Sequence, residues 1–224
     1  MPGSSVVLLA GGASARFGSD KLAARVGEHD LLSLTLSRLV RAPAATAVTV
    51  VGPARLDAGA RADGDPEATT ATPPLTVTWI LESPPGSGPG RALHAGVLAA
   101  LAVRPSLPVV VLPADAPDAH LALAPLLEAL SDLLARDTGA LGVVGTDASG
   151  SLQPLHLALA PAAGAALAAH PPAPGSSARA LVRALDLVPV PLPARALQDV
   201  DTPDDLVAWL GEQPAPGRPS TPRT

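Results

Sequence analysis

Residues 5–10, Ser-Val-Val-Leu-Leu-Ala, are apolar on both faces, and a glycine pair, Gly11-Gly12, closes the run. A strand without a polar face must be covered on both sides, the condition of a strand inside a parallel sheet flanked by helices. Similar short runs at 47–51, 76–81 and 108–112 read as strands. They alternate with helical patterns at 31–40, capped by Asp30, at 91–103 and at 120–136, with Asp118 as the expected cap. Beyond residue 141 the alternation loosens, with strands expected at 141–144, 153–159 and 187–190 and helices at 161–170 and 177–185. Thr202 as N-cap, Pro203 at the first position and Asp205 at the third open a last helix. The pattern predicts one α/β domain over 1–211, a mostly parallel sheet with helices on both faces. Residues 57–74 read as a polar surface insertion, and 212–224 as a disordered Pro-rich tail. In sheets of this kind ligands bind beyond the carboxyl ends of the strands.

Composition removes several classes of function. Aromatic residues make up 1% of the 224 residues, and the formal charge is −5. Neither stacking platforms nor a basic surface for nucleic acid is therefore expected. Zero cysteines exclude disulfides and thiol nucleophiles. The five histidines show no metal-ligand spacing, and no Gly-x-Ser-x-Gly elbow occurs. No apolar stretch reaches the roughly 18 residues of a membrane span. The apolar run at the start is too short, and lacks the preceding basic residues, for a secretory signal. The cytoplasm is the expected location.

The chemistry-bearing residues fall at the expected strand ends. Gly11-Gly12-Ala13-Ser14-Ala15-Arg16-Phe17-Gly18 follows the first strand and leads to Lys21, the only lysine among 15 Lys and Arg. Small residues let a backbone approach an anion, while Arg16 offers a fork and Lys21 a point charge to a polyphosphate. The loop is neither a Walker loop nor a Gly-x-Gly-x-x-Gly turn. After the third strand comes Glu82-Ser83-Pro84-Pro85-Gly86-Ser87-Gly88-Pro89-Gly90-Arg91, a rigid loop suited to contact a base, ribose or phosphate. Asp115 follows the most apolar strand, where a carboxylate can hold Mg2+. Asp199 and Asp201 point to one side of an extended segment. Either completes a metal site with Asp115, or else they cap the last helix. Gln153 reads a base edge or orders a loop, and His156 reads as a core or surface histidine.

Taken in order, these segments resemble the MobA-like nucleotidyltransferase family, that of molybdenum cofactor guanylyltransferase. The opening motif Leu-Ala-Gly-Gly-x-Ser-x-Arg-(Met/Phe)-Gly-x-Asp-Lys is matched from Leu9 to Lys21. Gly88-Pro89, Asp115-Ala116-Pro117, Gln153-Pro154-Leu155 and the closing run from Asp199 to Leu206 follow in family order. Two departures stand out. Asp199 and Asp201 occupy positions where Asn is usual, and Arg91 stands near Gly88-Pro89 where an apolar residue is usual. The resemblance implies a single-domain Rossmann-like α/β/α sandwich, similar to nucleotide-diphospho-sugar transferases. It implies GMP transfer from GTP to molybdopterin with Mg2+ as cofactor and pyrophosphate as the leaving product. Leu9, Ala10, Gly11, Gly12 and Ser14 would hold base and ribose, with Gly88 and Pro89 lining the pocket. Arg16 and Lys21 would hold the triphosphate. Asp115 would bind the metal, with Asp201 or Asp199 as the second carboxylate. Molybdoenzyme maturation proteins are the implied partners. The competing expectations are cytidylyl or other nucleotidyl transfer to a pterin or sugar phosphate, and a non-catalytic nucleotide- or cofactor-binding relative.

Overall fold

The computed structural model describes residues 3–11, 16–53 and 76–213. The expected surface insertion at 57–74 and all but the first residues of the expected tail lie outside these. Nine strands occur among the described residues: β1 (Ser4–Leu9), β2 (Arg25–Val26), β3 (His29–Asp30), β4 (Ala45–Val51), β5 (Thr76–Ile80), β6 (Val109–Pro113), β7 (Gly142–Thr146), β8 (Leu152–Leu159) and β9 (Val188–Pro191). The helices are α1 (Leu31–Val40), α2 (Pro89–Val103), α3 (Leu123–Ala135), α4 (Ala163–Ala169), α5 (Ala178–Ala184) and α6 (Pro203–Gly211). Short 3-10 turns cover Lys21–Ala23, Ala119–Ala122 and Ala194–Leu197.

Seven strands form one sheet in the order β5-β4-β1-β6-β8-β7-β9. β1 pairs in parallel with both β4 and β6, and β5 with β4. Only β8 runs against its neighbours, since it pairs antiparallel with β6 and β7 while β9 pairs parallel with β7. The sheet is thus mostly parallel, as expected, with one reversed strand. The physical reason is a tight connection. β7 and β8 are joined by a turn in which Asp147 accepts from the Ser149 and Ser151 amides, which forces an antiparallel return.

The period-two side-chain alternation divides the core. Val6, Leu8, Val50, Val110 and Leu112 face α1, α3 and α6, whereas Val7, Leu9, Val51, Val109 and Val111 face α2, α4 and α5. That is the three-layer sandwich. The two faces tolerate different side chains. A Cβ at Gly96 on α2 would come within 2.5 Å of Val7 Cγ1 and 2.7 Å of Val51 Cγ2, both on the fully buried β1–β4 surface. The helix lies this close because the residue is glycine.

Local signals set most boundaries. Asp30 caps α1 by accepting from the Ser33 amide at 2.6 Å, and Thr202 and Asp205 form a complete capping box on α6. Asp118 departs from expectation. It makes no capping bond; a 3-10 turn intervenes before α3, and its carboxylate turns inward to other partners. Gly96→Ala tests the α2 contact. Overpacking costs about 1–3 kcal/mol and the better helix propensity of alanine returns about 1. A lowered urea midpoint is expected; an unchanged or raised one would show that α2 has room to shift.

Candidate active site

Three charged segments converge at the carboxyl edge of the sheet. β1 ends at Leu9, and after Gly11 and the segment 12–15 the chain re-enters the described structure at Arg16. Gly18, at φ 76°, turns it into the 3-10 segment at Lys21, where Asp20 accepts from the Leu22 amide and the Leu22 side chain is buried in the core. Anchoring Leu22 fixes the direction in which its neighbour Lys21 projects. Asp115 follows β6, held between fully buried Ala114 and Ala116. Asp199 and Asp201 lie in the segment before α6, on either side of the fully buried Val200.

These segments converge on one ammonium group. Lys21 Nζ lies 2.5 Å from Asp115 Oδ2 and 2.8 Å from Asp201 Oδ1, and its side chain is 13% exposed. Arg16 Nη1 reaches the other oxygen of Asp201 at 3.0 Å from an exposed position. Asp115 and Asp201 meet without sharing adjacent strands. Instead the Val200 amide donates to the Asp115 carbonyl at 2.9 Å, which staples the segment before α6 to the end of β6. Burial pulls the Lys21 pKa down, but the Asp115 charge and hydrogen bond, followed by those of Asp201, outweigh it and leave the pKa above its ordinary value. Asp199 titrates the other way. Its carboxyl is pushed up to about 7, first by crowding of protein around it and then by the charges of Asp115 and Asp201, with Lys21 opposing. The residue is nonetheless exposed to solvent.

Two carboxylates therefore hold Lys21 and Arg16, and a third carboxyl group, Asp199, lies within reach of their field. Among the described residues no group of three or more His, Cys, Asp or Glu forms a ready metal cage. The donor chemistry nonetheless fits Mg2+, which takes one or two carboxylates and fills its shell with water and phosphate oxygens. Asp115 and Asp201, already converging on one positive charge, are the pair that could hold it.

The remaining expected residues are placed differently. Leu9 and Ala10 are buried at the end of β1, and Gly11 is exposed beyond them; Gly12 and Ser14 lie outside the described residues. Gly88 caps α2 at φ 95°, and Gly90 packs so tightly that a Cβ would meet the Ser176 carbonyl oxygen at 2.7 Å. The Gly90 amide donates to Ser176 and the Gly175 amide to Ser87, so the small residues of this loop admit a neighbouring loop of the protein itself. Gln153 is at the same edge but its amide donates to Asp147 Oδ2, ordering the β7–β8 turn apart from the Lys21 cluster. His156 is a core histidine, bonded through Nε2 to the Ala196 carbonyl at 3.0 Å; burial pushes its pKa down to about 4.

Sequence reasoning missed Asp118. Its buried carboxylate accepts from Arg38 Nη1, from Arg195 Nε at 2.8 Å and from Trp209 Nε1 at 2.9 Å, and the Arg38 guanidinium lies 5.0 Å from the Trp209 ring centre. The available signal was an aspartate beside Pro117 combined with the lone tryptophan of an amphipathic terminal helix. No local rule joins residues this far apart in the chain.

The fold is a Rossmann-like three-layer α/β sandwich with a charge cluster at its carboxyl edge. Residues 6–189 match the MobA-like NTP transferase domain, and the chain belongs to that family. The match stops short of the segment carrying Asp199 and Asp201. A comparison with curated protein sequences finds no significant match. Among solved structures, the chain is similar to molybdopterin-guanine dinucleotide biosynthesis protein A from Archaeoglobus fulgidus, at 18% identity and TM-score 0.56 over 92% of this chain and 97% of that one. It is similar to a 4-diphosphocytidyl-2C-methyl-D-erythritol synthase, at 18% identity and TM-score 0.61 over 94% and 98%. A homologue of Mycobacterium tuberculosis Rv0371c from Mycobacterium sp. strain JC1 gives 20% identity and TM-score 0.54 over 93% and 95%. At such identities the likeness shows the fold.

Asp118 yields a pH prediction. Burial raises its pKa, but the hydrogen bonds from Arg195 and Trp209 and the Arg38 charge prevail and hold it below the ordinary 3.8. A lowered folded pKa gives stability that is complete above the unfolded value and is lost as pH falls through the folded one. Asp118→Asn should therefore unfold more easily at neutral pH, by about 3 kcal/mol, with the gap to wild type closing below pH 3.8. Urea titrations across that range check it; a gap independent of pH contradicts it.

Proposed function

We propose that this chain is a Mg2+-dependent nucleotidyltransferase that moves GMP from GTP to molybdopterin and releases pyrophosphate. The observation that carries the reading is Lys21 held between Asp115 and Asp201 at the ligand-binding edge of a fold from this family. The likeness to molybdopterin-guanine dinucleotide biosynthesis protein A of Archaeoglobus fulgidus supports the choice of guanine and pterin.

A terminal phosphate oxygen of the acceptor attacks the α-phosphorus. The bond from that phosphorus to the oxygen bridging to the β-phosphate breaks, and its electron pair leaves with pyrophosphate. No protein nucleophile is needed, so the chain's work is positioning and charge stabilisation. Leu9 to Gly12, with Ser14, Gly88 and Pro89, bind the nucleoside. Arg16, exposed at the cleft mouth, meets the outer phosphates first. Lys21 exchanges its carboxylate partners for the α-phosphoryl oxygens, where negative charge grows in the transition state. Asp115 and Asp201 would hold Mg2+, which would supply charge neutralisation on the triphosphate. Asp199 adds a third carboxyl group close enough to feel the charges of Asp115 and Asp201. Gln153 keeps the β7–β8 turn in shape at the acceptor side. The reaction belongs to molybdenum cofactor biosynthesis in the cytoplasm, where molybdoenzyme maturation proteins would receive the product.

GTP, CTP, ATP and UTP, each with Mg2+, are compared by their effect on the thermal midpoint and by pyrophosphate release with molybdopterin. GTP alone should act in both. A response to CTP alone transfers the assignment to cytidylyl transfer, a reading to which the departures at Asp199, Asp201 and Arg91 would then belong. A raised thermal midpoint with no pyrophosphate release from any triphosphate leaves the non-catalytic nucleotide- or cofactor-binding relative. Lys21→Ala should keep the fold and lower turnover by about two orders of magnitude, as loss of one transition-state electrostatic contact does. Turnover near the wild-type rate would remove Lys21 from the reaction.

A further inference from the structure

Two carboxylates follow β6 three residues apart, and only Asp115 faces the cleft. We infer that the other, Asp118, is a positioning residue that sets the separation of Asp115 and Asp201 by fastening the β6 loop to the last helix. The inference deepens the proposed function and rests on its assignment of Asp115 and Asp201 to the metal and of Lys21 to the triphosphate.

Asp118 is 3% exposed and takes hydrogen bonds from three separate segments: Arg38 of α1, Arg195 of the 3-10 turn before Asp199, and Trp209 of α6. Arg38 and Arg195 also both donate to Gln213 Oε1, at 3.2 and 3.0 Å, so α1, the 3-10 turn and the end of α6 are tied to one another as well. The β6 loop is gripped along its length. Thr35 Oγ1 donates to the Ala114 carbonyl at 3.1 Å, and Arg38 Nη1 donates to that of Pro117 at 3.4 Å.

The opposite half of the pair hangs on α6. Asp205, the third residue of that helix, accepts from the backbone amides of Asp201 at 3.1 Å and Thr202 at 2.8 Å. Asp201 therefore moves with the N-terminal end of α6, while Trp209, two turns along, is the residue Asp118 holds. With Val200 stapled to the Asp115 carbonyl and Trp209 to Asp118, two attachments between the β6 loop and the α6 segment fix how far Asp201 stands from Asp115. One attachment would leave a hinge; two make a frame. Partners that orient ligating carboxylates in this way typically matter about 10- to 100-fold for metal affinity or activity.

Trp209→Phe removes the indole N–H and keeps a ring for the Arg38 contact; Asp118→Asn removes the charge. The chain's single lysine supplies a probe that needs neither metal nor turnover, because its 15Nζ signal is unique. In both variants the Lys21 Nζ signal should move toward that of free lysine, as Asp201 is released. In the transfer assay, half-activating Mg2+ should rise by about 10-fold while KM for the triphosphate at saturating Mg2+ stays near wild type. Asp204→Asn, an exposed change in the same helix, should alter neither. If Asp118→Asn does not fold, Trp209→Phe decides alone. A Lys21 signal unchanged in folded Trp209→Phe overturns the inference. If the Nζ change appears in the variants but the wild-type chain transfers no nucleotide, the proposed function fails and the frame stands.

Discussion

A single ammonium between two carboxylates organises the carboxyl edge of this sheet. Lys21 and Asp201 are 180 residues apart in sequence and 2.8 Å apart in space, with Asp115 closing the triad from the strand between. That contact requires β1 and β6 to be neighbours, which they are, and the last helix to return across their ends. It also requires Leu22 and Val200 to be buried beside the charged residues they position. Apolar burial, worth about 1.5–3 kcal/mol for a large aliphatic side chain, supplies the force that holds the charges together. The ion pairs themselves, partly solvated, contribute far less.

Asp115 and Asp118 show how environment divides labour between like groups. Asp118 is satisfied by three donors and buried away from any ligand. Asp115 meets one shared ammonium and keeps partial exposure, with Asp199 and Asp201 adding negative charge around it. A fully satisfied carboxylate stabilises a structure, whereas one surrounded by surplus like charge favours the arrival of a cation. The same loop carries both because Pro117 and the following 3-10 turn send the second carboxylate away from the cleft.

Much of this was legible in the chain. The two-sided apolar strands announced the sandwich, and short-range chemistry set the ends of α1 and α6, where Asp30, Thr202 and Asp205 cap as expected. Lys21 and Asp115 were visible because each ends a strand-and-loop signal. What escaped depends on distant partners. Nothing local makes Asp118 an acceptor for Trp209, and a local reading made it a helix cap. Gly88 and Gly90 read as room for a ligand, but part of that room is taken by residues 175–177. The reversal of β8 was written only in the brevity of the turn before it, and the pairing of Asp115 with Asp201 came through a backbone bond to Val200.

The central claim is that Lys21 leaves its carboxylates for phosphate when substrate binds. With one lysine in the chain, its 15Nζ resonance can be followed through a titration with GTP and Mg2+ under conditions where no acceptor is present. A saturable shift of that single signal is expected, with the same midpoint as the change in the 31P resonance of the α-phosphate. A 31P change that saturates while the lysine signal stays in place would contradict it.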